Sequence, residues 1–231
     1  MPLPPLRAVL FDKDGTLFDF AASWAGWMDG VIDTLSEGDT ACAEALARAL
    51  QFDRAARAFA PSSPVIAGTL DESADLIRPH LPAHRVAGLE RYLIDSSADA
   101  QMVPPLPLAP LLEGLRARGL VLGVATNDAE ASAHQHLRAA GISGFFDHVL
   151  GYDSGYTPKP APDMLLGFAA RAGLSPQSVA MVGDSTHDLR AGRAAGMVCI
   201  GVLTGLADEA TLAPHADLVL PDIGHLPDHL A

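Results

Sequence analysis

The sequence predicts a parallel, doubly wound α/β sheet interrupted by an inserted, all-helical domain. Three observations carry this expectation. From Pro110 onward, short apolar runs alternate with Ala- and Leu-rich helical segments, most of them stopped by a glycine. Between about residues 20 and 101 no convincing strand occurs. A lone apolar run, Ala8-Val9-Leu10-Phe11, stands ahead of that stretch and reads as a short buried strand. The expected division is therefore a core domain of residues 1–19 and 102–231, with residues 20–101 forming the helical insert.

The elements follow in chain order. Gly15 ends the first strand and lets the chain turn back. Helical patterns rich in Ala, Leu and Glu cover 20–35, 40–52, 70–77 and 83–100. Phe59-Ala60-Pro61-Ser62-Ser63-Pro64 is a loop by its turn chemistry. The proline-rich run Met102 to Pro107 is a stiff connector back to the core. Helix 111–118 leads to strand 120–125, helix 129–140 to strand 148–150, and helix 161–172 to strand 179–182. Ser175-Pro176 offers an N-cap and a proline at the first helical position. Helix 189–195, strand 198–202 and a short edge strand at 217–220 complete the set. Ligands of such a sheet sit at the carboxyl ends of its strands.

Composition narrows the partners. The formal net charge is −13 and no basic run occurs, so a nucleic-acid partner is not expected. Long-range repulsion also disfavours anionic membranes, and an anionic ligand would need local capture. No apolar stretch reaches the length of a membrane span. Met1 to Pro5 has neither a basic nor an apolar region, so it does not read as a signal peptide. Cys42 and Cys199 lack metal or redox spacing and read as reduced thiols, consistent with a cytoplasmic protein. Lys13 and Lys159 are the two lysines, and each stands where the chain's bias would favour Arg.

The strand ends carry the chemistry. Asp12 and Asp14 occupy positions i and i+2, so an extended backbone offers both from one face. Two such carboxylates repel unless a cation lies between them, and a divalent metal is the natural one. The second strand of the core ends in Thr126-Asn127, Lys159 follows the third, and the fourth ends at Gly183-Asp184-Ser185 with Asp188 four residues after Asp184. Each has a plain structural reading: Thr126 as a helix cap, Lys159 as a loop residue, Asp184 and Asp188 as acids near a helix start. Their joint placement on one sheet edge outweighs those readings.

Taken together these residues resemble the haloacid dehalogenase superfamily, and within it the phosphoglycolate phosphatase branch with a helical cap. Asp12-Lys13-Asp14-Gly15-Thr16 matches the first motif, Thr126 the second, Lys159 the third, and Gly183 to Asp188 the fourth. The resemblance spans essentially the whole chain and implies a Rossmann-like core, with the helical insert at the cap position. It implies an Mg²⁺-dependent phosphatase acting on a small phosphorylated metabolite such as phosphoglycolate. Asp12 would be the nucleophile that becomes an aspartyl-phosphate, and Asp14 the general acid and base. Mg²⁺ would be held by Asp12, the Asp14 carbonyl, Asp184 and Asp188. Lys159 and Thr126 would hold the phosphoryl oxygens, and Gly15, Thr16 and Asn127 belong to the same substrate-binding set.

Asp14 argues for phosphoryl transfer, since dehalogenases of the superfamily lack a carboxylate two residues after the nucleophile. The absence of an insert lysine argues against a phosphonate hydrolase. A sugar-phosphate mutase and a non-catalytic phospho-ligand binder are the alternatives. Two departures fall where cap and core meet: Asp19-Phe20 stands where such phosphatases often carry Asp-Ser, and Pro107-Leu108 replaces a Pro-Gly turn.

In the insert, Arg54 and Arg57 are three apart and could bind a substrate carboxylate, or could be solvated surface. Trp24 and Trp27 share a helix face, either packing within the insert or lining the pocket. His134 and His136 lack a third partner at zinc spacing, and His187 reads as loop surface.

Overall fold

The computed structural model describes residues 3–230. Among them the strands are β1 (Ala8–Phe11), β2 (Phe52–Asp53), β3 (Ala58–Phe59), β4 (Val121–Ala125), β5 (His148–Leu150), β6 (Val179–Gly183), β7 (Val198–Val202) and β8 (Leu218–Leu220). Six of these form one parallel sheet in the order β5-β4-β1-β6-β7-β8. The chain fills one side of β1 first, then crosses to the other, so the sheet reverses its winding beside β1. Ligand crevices form at the carboxyl end of such a reversal.

β1 is fully buried along its length, which is why it reads as a continuous apolar run. Its side chains alternate between two cores. Val9 and Phe11 join one with Leu112, Leu122, Val182 and Ile200. Ala8 and Leu10 join the other, with Met164, Leu165, Phe168 and Met181. Helices α6 (Leu108–Ala117), α7 (Glu130–Ala139), α8 (Asp163–Ala172), α9 (Thr186–Ala195) and α10 (Glu209–Leu212) connect the strands, numbered after five in the insert.

The insert carries α1 (Phe20–Ser36), α2 (Thr40–Ala49), α3 (Leu70–Ile77), α4 (Ala83–Val86) and α5 (Leu89–Ala98). It has an apolar core of its own. Phe20, Trp24, Met28, Val31, Ile32 and Leu35 recur at helical spacing along α1 and pack on Leu46, Ile77, Leu89 and Leu93. Asp19 caps α1 through the Ala22 N–H, and a Thr69–Glu72 capping box starts α3.

Three expectations change. The insert is not purely helical, because β2 and β3 form a two-stranded antiparallel ribbon between α2 and α3. Phe52 and Phe59 pair across it and meet edge to face at 4.9 Å, so the ribbon pins its loop to the insert core. The helical stretch 83–100 divides at Gly88, whose φ of +84° no continuing helix adopts. Ser175 and Pro176 take the cap and first positions as read, but of a single 3₁₀ turn into β6 with no side-chain capping bond.

Candidate active site

β1 delivers Asp12 to the sheet edge, where the Asp12 N–H donates to the Val182 carbonyl at 2.8 Å. Register then places the ends of β4 and β6 on either side of it: Phe11 aligns with Val124 and with Val182. Thr126 follows one neighbour and Asp184 the other. Beyond Asp12 the chain folds into a tight turn, with the Leu17 and Phe18 N–H groups donating to the Lys13 carbonyl.

Asp12, Asp184 and Asp188 are all buried, and each offers a carboxylate oxygen within 4.8 Å of the other two. Lys159 bridges the group, donating at 2.6 Å to Asp12 and at 2.6 Å to Asp188. Burial pushes the Asp12 carboxyl up; Lys159 opposes this, while Asp188 and Asp14 add to it. Asp184 is pushed well up by burial, then by Asp12 and Asp188. Burial would depress the Lys159 ammonium, but Asp12 and Asp188 outweigh it and hold the group above its ordinary value. One cation thus serves three buried carboxylates. An all-oxygen donor set with surplus negative charge fits a hard divalent cation.

Two glycines shape the Asp184 pocket. A Cβ on Gly15 would fall 2.2 Å from Asp184 Oδ2, and one on Gly205 would fall 1.7 Å from it. Gly15 also has φ +83°, which its turn requires. Thr204 ties the two loops together by donating to the Gly15 carbonyl at 2.6 Å. Ser185 and Asp188 form a reciprocal cap at the start of α9, which fixes the Asp188 carboxylate toward Lys159.

Asp14 points elsewhere. Its carboxylate accepts from Lys13 Nζ at 2.7 Å and from the Trp24 indole N–H at 2.8 Å, and it also lines the crevice. Lys13 has no exposed surface. Its ammonium is 3.1 Å from Asp128 and 3.1 Å from His136 Nδ1, and 5.2 Å from the Trp24 ring centroid. Burial would lower the Lys13 pKa, but Asp14 and Asp128 hold it above the ordinary value. His136 is pushed down by burial and then by Lys13, and the Lys13 ammonium beside Nδ1 can only donate. That assigns the tautomer: Nδ1 accepts from Lys13, and Nε2–H donates to the Ser97 carbonyl of α5 at 2.9 Å.

Of the residues singled out in the sequence, Asp12, Asp14, Thr126, Asn127, Lys159, Asp184 and Asp188 line one crevice between sheet and insert. Gly15 and Thr16 lie behind it. Thr16 is fully buried, its hydroxyl 3.4 Å from Asp184, so it supports the acidic group from below. The Thr126 hydroxyl accepts from the Asp128 N–H at 3.0 Å and keeps its own proton free for the crevice. The Asn127 amide is spent on backbone: it donates to Ala67 and Lys159 carbonyls at 2.9 Å each and accepts from the Lys159 N–H at 3.0 Å. It staples the insert loop to the core instead of presenting a free donor.

Arg54 and Arg57 do not reach the crevice. Arg54 donates to Asp29 at 2.8 Å and to Asp33 at 2.5 Å, and Arg57 pairs with Asp29 at 3.1 Å. These are ion pairs on the outer face of α1.

Asp128, Thr204 and Gly205 join the site beyond the residues the sequence marks, as does His136, which the sequence marks only as lacking a zinc partner. Asp128 carried a signal in its place directly after Thr126-Asn127, and Lys13 in the scarcity of lysine. Trp24 and Trp27 resolve as crevice lining, together with His187.

A family model described as haloacid dehalogenase-like hydrolase matches residues 6–196. The phosphoglycolate phosphatase of Escherichia coli strain K12 is 30% identical over 235 residues, covering 94% of this chain and 88% of that protein. A protein of Dickeya dadantii strain 3937 named probable phosphatase IndB is 44% identical over 106 residues, 45% of this chain and 46% of that one. A crystal structure of a predicted phosphoglycolate phosphatase from Haemophilus somnus 129pt superposes with a TM-score of 0.72 at 20% identity, covering 96% and 97% of the two chains. At that identity the superposition establishes the shared fold.

Proposed function

The chain belongs to the haloacid dehalogenase-like hydrolases and is a phosphatase acting on phosphoric monoesters, and from that membership we propose that it cleaves a small phosphate monoester through an aspartyl-phosphate on Asp12. The observation that carries this reading is the Lys159 bridge between Asp12 and Asp188. It holds one Asp12 oxygen and leaves the other to attack phosphorus.

A carboxylate approaching a phosphate dianion at about 4 Å is repelled by roughly 4 kcal/mol for each unit charge at an effective dielectric near 20. Lys159 offsets part of this and stabilises charge that spreads over the phosphoryl oxygens in the transition state. The free Thr126 hydroxyl donates to the same oxygens. Asp12, Asp184, Asp188 and the Asp14 backbone carbonyl would hold Mg²⁺, which would neutralise the remaining charge and orient the phosphoryl group. With Oδ1 held by Lys13 and Trp24, Asp14 would pass a proton carried on Oδ2 to the leaving alkoxide and regain one on that oxygen from the water that hydrolyses the acyl-phosphate. Lys13 and Trp24 fix that carboxylate, and the neutral His136 holds Lys13 in place.

The test is hydrolysis of p-nitrophenyl phosphate with Mg²⁺, before and after EDTA, alongside Asp12→Asn. Wild type should release phosphate only with metal, and acid quenching should trap phosphate on it. The variant should fold, release none and trap none. Turnover that survives EDTA, or activity retained in Asp12→Asn, overturns the reading.

A further inference from the structure

We infer that the organic part of the substrate is uncharged and largely apolar, so that carboxylated esters such as phosphoglycolate are poor substrates. The inference rests on the phosphatase reading of the same crevice and adds the chemistry of the leaving alcohol.

The wall facing the acidic cluster is apolar. The insert contributes Phe20, Trp24, Trp27, Phe59, Ile66 and Leu70 to it. The rings are fixed against one another: Trp24 meets Trp27 edge to face at 5.1 Å, and Phe20 meets Phe59 at 5.3 Å. The polar side chains among them are already engaged. The Thr69 hydroxyl caps α3 and the Ser73 hydroxyl donates to the Thr69 carbonyl. Such a surface recovers energy by excluding water from an apolar ligand and returns nothing to a charged one.

A second anion is held most strongly by a lysine or arginine, and every arginine of the insert is already paired. The insert holds six arginines and no lysine. Arg54 and Arg57 pair with Asp29. Arg48 pairs with Glu44, Arg85 with Glu37 and Arg91 with Asp95. Arg78 pairs with both Asp75 and Glu90. Among the described residues, none of these arginines lines the crevice. The sheet domain adds Lys159, committed to Asp12 and Asp188, and His187. Around them stand Asp12, Asp14, Asp128, Asp184 and Asp188. A substrate carboxylate would enter a site where five acids surround Lys159 and no lysine or arginine is free to pair with it, an arrangement that disfavours it.

Three alkyl esters separate charge from apolar burial while each leaves as an alkoxide. Ethyl phosphate keeps the two-carbon chain of phosphoglycolate with a methyl in place of the carboxylate, and benzyl phosphate adds an apolar ring. With Mg²⁺ present, kcat/KM should be about tenfold to a hundredfold higher for benzyl than for ethyl phosphate. Phosphoglycolate should fall at least tenfold below ethyl phosphate. Parity or inversion in either comparison overturns the inference while leaving the phosphatase reading intact. Failure to hydrolyse any ester, p-nitrophenyl phosphate included, overturns both. Ile66→Arg places a cation in the wall from a loop position and should raise the phosphoglycolate-to-benzyl ratio at least tenfold. An unchanged ratio also counts against the inference.

Discussion

The indole N–H of Trp24 donates to Asp14 Oδ1 at 2.8 Å, joining the first helix of the insert to the turn that follows β1. The same oxygen accepts from Lys13. Asp14 is thus oriented by one donor from its own turn and one from α1, and the insert takes part in placing the acid as well as covering the crevice.

Trp24→Phe keeps an aromatic ring and deletes that donor. A hydrogen bond to a charged acceptor is worth about 1.5–3 kcal/mol. The variant should lose about tenfold or more in kcat with little change in KM, while its melting temperature stays within a few degrees of wild type. Steady-state kinetics beside a thermal melt check this; an unchanged kcat would remove Trp24 from the placement of Asp14.

Lys13→Met should destabilise the fold by about 3–5 kcal/mol, because it leaves Asp14 and Asp128 without their buried cation. Adding Asp128→Asn should restore part of that loss, since the amide carries no charge. Urea unfolding of the two single variants and the double variant measures the coupling. Simple additivity would show that the pair does not act as a unit.

Gly205→Ala should cripple metal binding, for the new methyl would lie 1.7 Å from Asp184 Oδ2. Saturating Mg²⁺ at a hundredfold its dissociation constant would stabilise wild type by about 2.7 kcal/mol. Thermal melts with and without Mg²⁺ should show that gain in wild type and little of it in the variant. An equal gain in both would place the metal away from Asp184.

Cys199 gives a pH signature away from the acidic cluster. Burial pushes its thiol up to about 11, with the backbone carbonyl of Leu189 as an acceptor at 3.4 Å. The folded form therefore keeps a proton that the unfolded chain loses nearer pH 9. This contribution is complete below pH 9 and is lost as the pH rises toward 11, on the order of 2 kcal/mol. Cys199→Ala should flatten that part of the stability profile. In native protein at pH 8, a thiol reagent should modify Cys42 and spare Cys199.

The large parallel sheet was legible because its strands are buried on both faces and read as apolar runs between helical segments and glycines. The acidic cluster was legible because its members sit at strand ends with fixed spacing. The ribbon of β2 and β3 was not, since two-residue strands are too short to show alternation. Arg54 and Arg57 illustrate a different limit. Their spacing suggested a shared target, but Asp29 and Asp33, four apart on α1, reach them from more than twenty positions away. Lys13 and Asp128 adjoin the strand-end residues and so fall on the same sheet edge, but nothing in the sequence pairs them with each other or with His136.

The central position of β1 also has a consequence for synthesis. Ala8 aligns with Val179, so this strand waits for a neighbour about 170 residues downstream. While the ribosome makes the intervening polypeptide, Asp12 has already emerged but lacks Lys159, Asp184 and Asp188. A transcript cut short before the codon for Lys159 would therefore yield a chain whose Asp12 has none of these partners, with a nascent apolar segment in need of shielding until its last partner arrives.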